Sequence, residues 1–129
     1  MGDSARRRVL IVDDEIAIVD VLSEHLQADY DIEAALNGTD ALGAVLRQRP
    51  DVVLLDINMP GMAGVEVLKN IKQMDESIAV VMVTADVQVA LAAETLKGGA
   101  FGYVPKPFDF RYIDHLLAVI VDSQRTRRR

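Results

Sequence analysis

The sequence predicts an α/β domain built on one parallel β-sheet, and three observations carry that prediction. Short apolar or β-branched runs alternate strictly with segments of helical periodicity, the pattern of strand-helix units. The run Val52 to Leu55 is apolar at every position, which suits a strand covered on both faces. A chain of 129 residues is long enough for one such core and too short for two ordinary ones.

Each element follows from its local pattern. VLIV at 9–12 is a first strand, and the apolar spacing of Ile16, Val19, Leu22 and Leu26 after it predicts a helix. DIEAA at 31–35 is a weaker second strand; Asn37-Gly38 reads as a turn, and Ala41, Leu42, Val45 and Leu46 mark a second helix that ends before Pro50. The third strand, 52–55, runs into Asp56 and a Pro60-Gly61 turn. Val65, Leu68 and Ile71 predict a third helix, and Ile78 to Val83 a fourth strand ending at Thr84. Residues 87–97, with Val87, Leu91 and Leu96, predict a fourth helix closed by Gly98-Gly99. A fifth strand, Phe101 to Val104, stops at Pro105-Lys106-Pro107, and Asp109 caps a last helix with Ile113, Leu116, Leu117 and Ile120 inward. Five such units imply a doubly wound sheet with helices on both faces.

Composition narrows the function. With no Cys and no Trp, thiol catalysis, disulfide scaffolds and Cys-based metal sites are excluded, and a reducing, cytoplasmic setting fits. The basic start reaches acidic residues after only four apolar ones, which is neither a secretory signal nor a membrane anchor. The net charge of −6 is uneven: residues 9–121 carry 7 Lys+Arg against 18 Asp+Glu, while the remaining ends carry 7 against 2. An acidic body favours cations and basic partners and argues against nucleic-acid binding by this domain. The basic ends read as tails: 1–7 at the start, and 122–129 as either a tail or the beginning of a linker.

Right-handed crossovers send all five strand ends to one edge. That edge collects Asp13 and Asp14 after the first strand, Asp56 after the third, Thr84 after the fourth and Lys106 after the fifth. Clustered carboxylates repel unless a cation lies among them, and an all-oxygen set suits Mg²⁺. A lysine and a hydroxyl opposite suit the oxygens of a transferring phosphoryl group, with one carboxylate left to attack.

Through VLIVDDE, VVLLDINMPGMAG, VMVTA and YVPKPF, residues 8–121 resemble the receiver (CheY-like) domains of two-component response regulators. The resemblance implies a flavodoxin-like strand order 2-1-3-4-5. It makes Asp56 the phosphoryl acceptor from a phospho-His, with Asp13, Asp14, Asp56 and the carbonyl of Asn58 holding Mg²⁺. Lys106 becomes the phosphate contact, Thr84 and Tyr103 the switch pair, and Lys106-Pro107 a cis peptide. The implied partners are a sensor histidine kinase or phosphotransfer protein, an output domain or other partner through residues 87–121, and a second copy on phosphorylation; no membrane is involved. A polar Asn58 and an acidic Asp86 go, in the family, with comparatively rapid self-dephosphorylation.

Each residue alone has a plainer role: acids complementing a helix dipole, a turn carboxylate, a strand-end threonine, a solvated lysine, a packed tyrosine. Their conjunction at one edge argues for a site. His25 and His115, with no histidine partner, read as ordinary surface residues. A phosphohydrolase working through phospho-Asp commonly carries a second acid two residues after its nucleophile, where this chain has Asn58. A nucleotide-binding module of similar fold needs a glycine-rich loop after the first strand, which VDDE excludes.

Overall fold

The computed structural model describes residues 6–85 and 88–127, and within them five strands alternate with five helices. In chain order these are β1 (Arg8–Val12), α1 (Ile16–Leu26), β2 (Asp31–Ala35), α2 (Gly38–Arg47), β3 (Val52–Leu55), α3 (Gly64–Met74), β4 (Ala79–Thr84), α4 (Val89–Lys97), β5 (Gly102–Pro105) and α5 (Phe110–Arg127). All strand pairs are parallel, and the sheet order is β2-β1-β3-β4-β5.

The strand period of two divides the core between the two faces of the sheet. Val9, Ile11, Val52, Leu54, Val81 and Val83 pack with Val19, Leu22 and Leu26 of α1 and Ile113, Leu117 and Ile120 of α5. Leu10, Val12, Val53, Leu55, Val80 and Met82 face the other way, onto Ala41, Ala44 and Val45 of α2 and Val67, Leu68 and Ile71 of α3. β3, buried at every position, lies between β1 and β4 and is screened from water on both faces.

Several local expectations are corrected. Asn37 does not make a turn with Gly38; it is the N-cap of α2, its side-chain oxygen accepting from the Asp40 amide at 2.8 Å. Leu46 is exposed because it stands five residues, about 140° round the helix, from the buried Ala41. Ile16, at the first position of α1, is exposed as well, about 120° from Leu22. In α4 the fully buried position belongs to Thr95, four residues from half-buried Leu91, and Leu96 points out. Thr95 is buried at no polar cost because its hydroxyl donates to the Ala92 carbonyl at 2.8 Å. Leu116 is half-buried rather than fully inward. β5 starts one residue later than predicted; Val87 lies outside the described residues.

The largest difference is at the ends. α5 does not stop at 121 but continues through Arg127, because Ile113, Leu117, Ile120 and Gln124 hold one buried stripe. The Gln124 amide donates to the Asp51 carbonyl at 2.8 Å, and its side-chain oxygen accepts from Arg7 at 3.3 Å. Arg7 also faces the Asp51 carboxylate at 3.5 Å. Arg7 and Gln124, both in stretches read as tails by composition, are thus tied to the amino-terminal edge of the sheet, opposite the acidic cluster.

Candidate functional site

At the carboxyl edge the parallel register brings together what four strands carry. β1 ends in Asp13 and Asp14, β3 in Asp56, β4 in Thr84, and β5 runs into Lys106, whose amide donates to the Thr84 carbonyl at 2.9 Å. The amide of Asp56 donates to the Val12 carbonyl at 3.0 Å, which fixes the two acidic strand ends side by side. One carboxylate oxygen each from Asp13, Asp14 and Asp56 lies within 4.8 Å of the other two. Asp13 and Asp56 are buried, and Asp14 is exposed.

Lys106 faces this cluster. Its Nζ lies 2.7 Å from Asp13 Oδ2, 3.5 Å from Asp56 Oδ2 and 3.5 Å from Glu15 Oε1. The other oxygen of Asp56 accepts from the Asn58 amide at 3.2 Å, and the Thr84 hydroxyl donates to the same carboxylate. Burial pushes the Asp56 carboxyl above its ordinary pKa, and the Asp13 charge adds to that; Lys106, the Asn58 amide and the Thr84 hydroxyl offset it only in part. For Lys106, burial acts downward, but the Asp13 hydrogen bond and the charges of Asp56, Asp13 and Glu15 outweigh it, so the ammonium is held above its usual value. An open cleft of about 250 Å³ lies over Asp56, with Asp14, Asn58 and Lys106 in its wall.

The remaining predicted positions fall around this centre. Tyr103 pairs in register with Met82, two residues before Thr84, so both residues of the expected switch pair stand on the α2–α3 face of the sheet. Tyr103 is half-buried against that core. The Lys106–Pro107 peptide is cis. Asp86 lies outside the described residues.

Two residues went unnoticed in the sequence. Glu15 reads as one of three acids at a helix start, and nothing local announces a lysine 91 positions away. Gly64 opens α3 with its amide donating to the Ile57 carbonyl at 2.8 Å, and a Cβ there would sit 2.3 Å from the Asp56 carbonyl oxygen. A glycine just inside a helix start is the only sequence signal for that contact. His25, read as an ordinary surface residue, is more engaged than that: its Nε2 lies 2.9 Å from Asp114 Oδ1, and its ring stacks on Phe110.

A doubly wound sheet with this acidic edge and its facing lysine is the arrangement of a receiver. The chain belongs to the response regulator receiver domain family, whose model matches residues 9–118. It is 42% identical over 103 residues to sporulation initiation phosphotransferase F of Bacillus subtilis, covering 79% of this chain and 83% of that one. Against the DNA-binding response regulator MtrA of Mycobacterium tuberculosis it is 37% identical over 107 residues, 82% of this chain but only 46% of that protein. In structure it is similar to a response regulator receiver domain protein (CheY-like) from Methanospirillum hungatei, with a TM-score of 0.92, 27% identity, and 95% of this chain and 99% of that one covered. Such a domain is a signalling module rather than an enzyme of the ordinary kind. The three-carboxylate cluster is compatible with Mg²⁺ in its oxygen-only donor set. No described helix is long and apolar enough to cross a membrane.

Proposed function

We propose that this domain is a phosphorylation switch in which Asp56 takes a phosphoryl group from a phospho-His of a sensor kinase or phosphotransfer protein. The observation that carries the reading is a buried Asp56 carboxylate crowded by Asp13 and Asp14, with the Lys106 ammonium 3.5 Å away. Carboxylates so placed are poised for a divalent cation, which Asp13, Asp14, Asp56 and the Asn58 carbonyl would hold. Bound there, Mg²⁺ neutralises charge on the phosphoryl oxygens.

The protein's own groups do the rest. One Asp56 oxygen is held by the Asn58 amide and the other faces Lys106, so the carboxylate is oriented before a donor arrives. Lys106 offers its charge to the phosphoryl oxygens as the P–N bond of the donor breaks and the P–O bond to Asp56 forms. Thr84 then turns its hydroxyl from the Asp56 carboxylate to a phosphoryl oxygen, and Tyr103 follows into the space released. Exposed Asn58, beside the acceptor, can hold the water that later hydrolyses the phosphoryl group, with Asp86 as the second tuning position.

Treatment with acetyl phosphate and Mg²⁺ should add one phosphoryl group by intact mass. Labelling that survives Asp56→Ala, or that ignores chelation of Mg²⁺, counts against the reading. The changed surface should comprise α4, β5 and α5, through which an output domain, another partner or a second copy would be engaged. Beryllofluoride, a phosphoryl mimic, should therefore move the amide resonances of these elements. If it moves only resonances elsewhere, the Thr84–Tyr103 coupling is wrong.

A further inference from the structure

Glu15 stands at the entrance to the cleft with its side chain free of any structural duty to its helix. It occupies the N-cap position of α1, where shorter polar side chains are preferred, and it makes no capping hydrogen bond. Its carboxylate instead lines the cleft and lies 3.5 Å from Lys106 Nζ, at 64% exposure. An ion pair so exposed contributes little to stability. Its effect falls on what enters.

Three further carboxylates, those of Asp13, Asp14 and Glu15, stand about the acceptor Asp56, and Lys106 is the one cation among the described residues lining the cleft. Lys106 Nζ is held tightly by Asp13 at 2.7 Å and loosely by Asp56 and Glu15 at 3.5 Å. An arriving phosphoryl group must take a share of that ammonium. Glu15 is the exposed competitor for it, and its negative charge stands in the cleft wall that a donor must pass.

Building on the phosphotransfer reading above, we propose that Glu15 is a specificity residue that disfavours small, highly charged phosphodonors and so favours delivery from a phosphohistidine carried on a protein. A protein donor draws binding energy from contacts remote from the cleft and can override one repulsive charge; a small donor has no such reserve. In either case transfer forms a P–O bond to Asp56 and breaks the donor's own bond to phosphorus. The electron pair leaves with acetate from acetyl phosphate, or with ammonia from phosphoramidate.

The two small donors separate charge from chemistry, because near neutral pH acetyl phosphate is a dianion and phosphoramidate carries a single net negative charge. A unit charge about 6 Å away in water changes a rate about threefold for each charge on the donor. At saturating Mg²⁺ and low salt, Glu15→Gln should therefore speed labelling of Asp56 about tenfold with acetyl phosphate and about threefold with phosphoramidate. Both gains should vanish near about 1 M salt, where screening acts over about 3 Å. Glu15→Lys should exceed Glu15→Gln with the same ranking of donors. Equal factors for the two donors, a gain that ignores salt, or no gain at all overturns the inference while leaving Asp56 as acceptor. Failure of both donors to label the wild type removes the phosphotransfer reading, and this inference with it.

Discussion

Asp56→Asn is expected to abolish phosphoryl labelling and, in the same molecule, to raise the thermal stability of the metal-free protein. Asn keeps the size of the side chain and an oxygen that can accept from the Asn58 amide and the Thr84 hydroxyl. What it removes is a buried charge beside Asp13 and Asp14. The lost attraction to Lys106 opposes the gain, but the raised pKa of Asp56 says which side wins: its surroundings disfavour the charged form. The sign of the pH dependence follows. The native state binds this proton more tightly than the unfolded chain, so wild-type stability falls as pH rises from the ordinary carboxylate value of 3.8 through the higher native one. Asn carries no such proton. The advantage of the variant should be small in acid and grow towards neutral pH, reaching about 1–3 kcal/mol, the usual cost of a poorly compensated buried polar group. For a domain of this size that is roughly 3–5 °C per kcal/mol. Calorimetry in chelator at several pH values measures it, and added Mg²⁺ should stabilise the wild type more than the variant. An advantage independent of pH, or a loss of stability, would mean that Lys106 fully compensates Asp56.

Most of this arrangement was legible because it depends on chain order and side-chain type. Asp13, Asp56, Thr84 and Lys106 each follow a short apolar run, and parallel topology alone sends those ends to one edge. What escaped depends on distances across the fold. The link from Glu15 to Lys106 spans 91 positions, and a third acid after two others looks like helix-dipole chemistry. The end of α5 was hidden by composition: SQRTRRR resembles a linker, and only the partners Asp51 and Arg7 show Gln124 to be an inward-facing anchor. Thr95 took the inward position of α4 from Leu96 because helical geometry, not hydrophobicity, selects the residue four after Leu91. Such errors leave the sheet untouched, which is why the fold and its acidic edge survive them.

Gly64→Ala should be strongly damaging, because among the described glycines it is the one whose added Cβ would come closest to other atoms. The new Cβ would lie 2.3 Å from the Asp56 carbonyl oxygen, 2.6 Å from Ile57 Cα and 3.0 Å from the Asp56 carbonyl carbon. None of these is the tip of a flexible side chain, so relief requires the start of α3 and the end of β3 to separate by about 1 Å. Overpacking of this kind costs about 1–3 kcal/mol, and weakening the hydrogen bond from the Gly64 amide to the Ile57 carbonyl adds about 1 kcal/mol. The melting temperature should fall by about 10 °C. Labelling should suffer more than stability does, because the displaced backbone is that of the proposed acceptor itself. A shift of about 1 Å between Asp56 and the Lys106 ammonium can cost on the order of 100-fold in rate. Gly43→Ala is the control: in α2 its Cβ would meet only the end of the Arg47 side chain, at 3.5 Å, and replacing a helical glycine there should stabilise by about 0.5–1 kcal/mol. Acetyl phosphate labelling at a temperature where both variants are folded separates geometry from stability. If Gly64→Ala labels as fast as Gly43→Ala under those conditions, the contact between α3 and the Asp56 carbonyl does not position the acceptor.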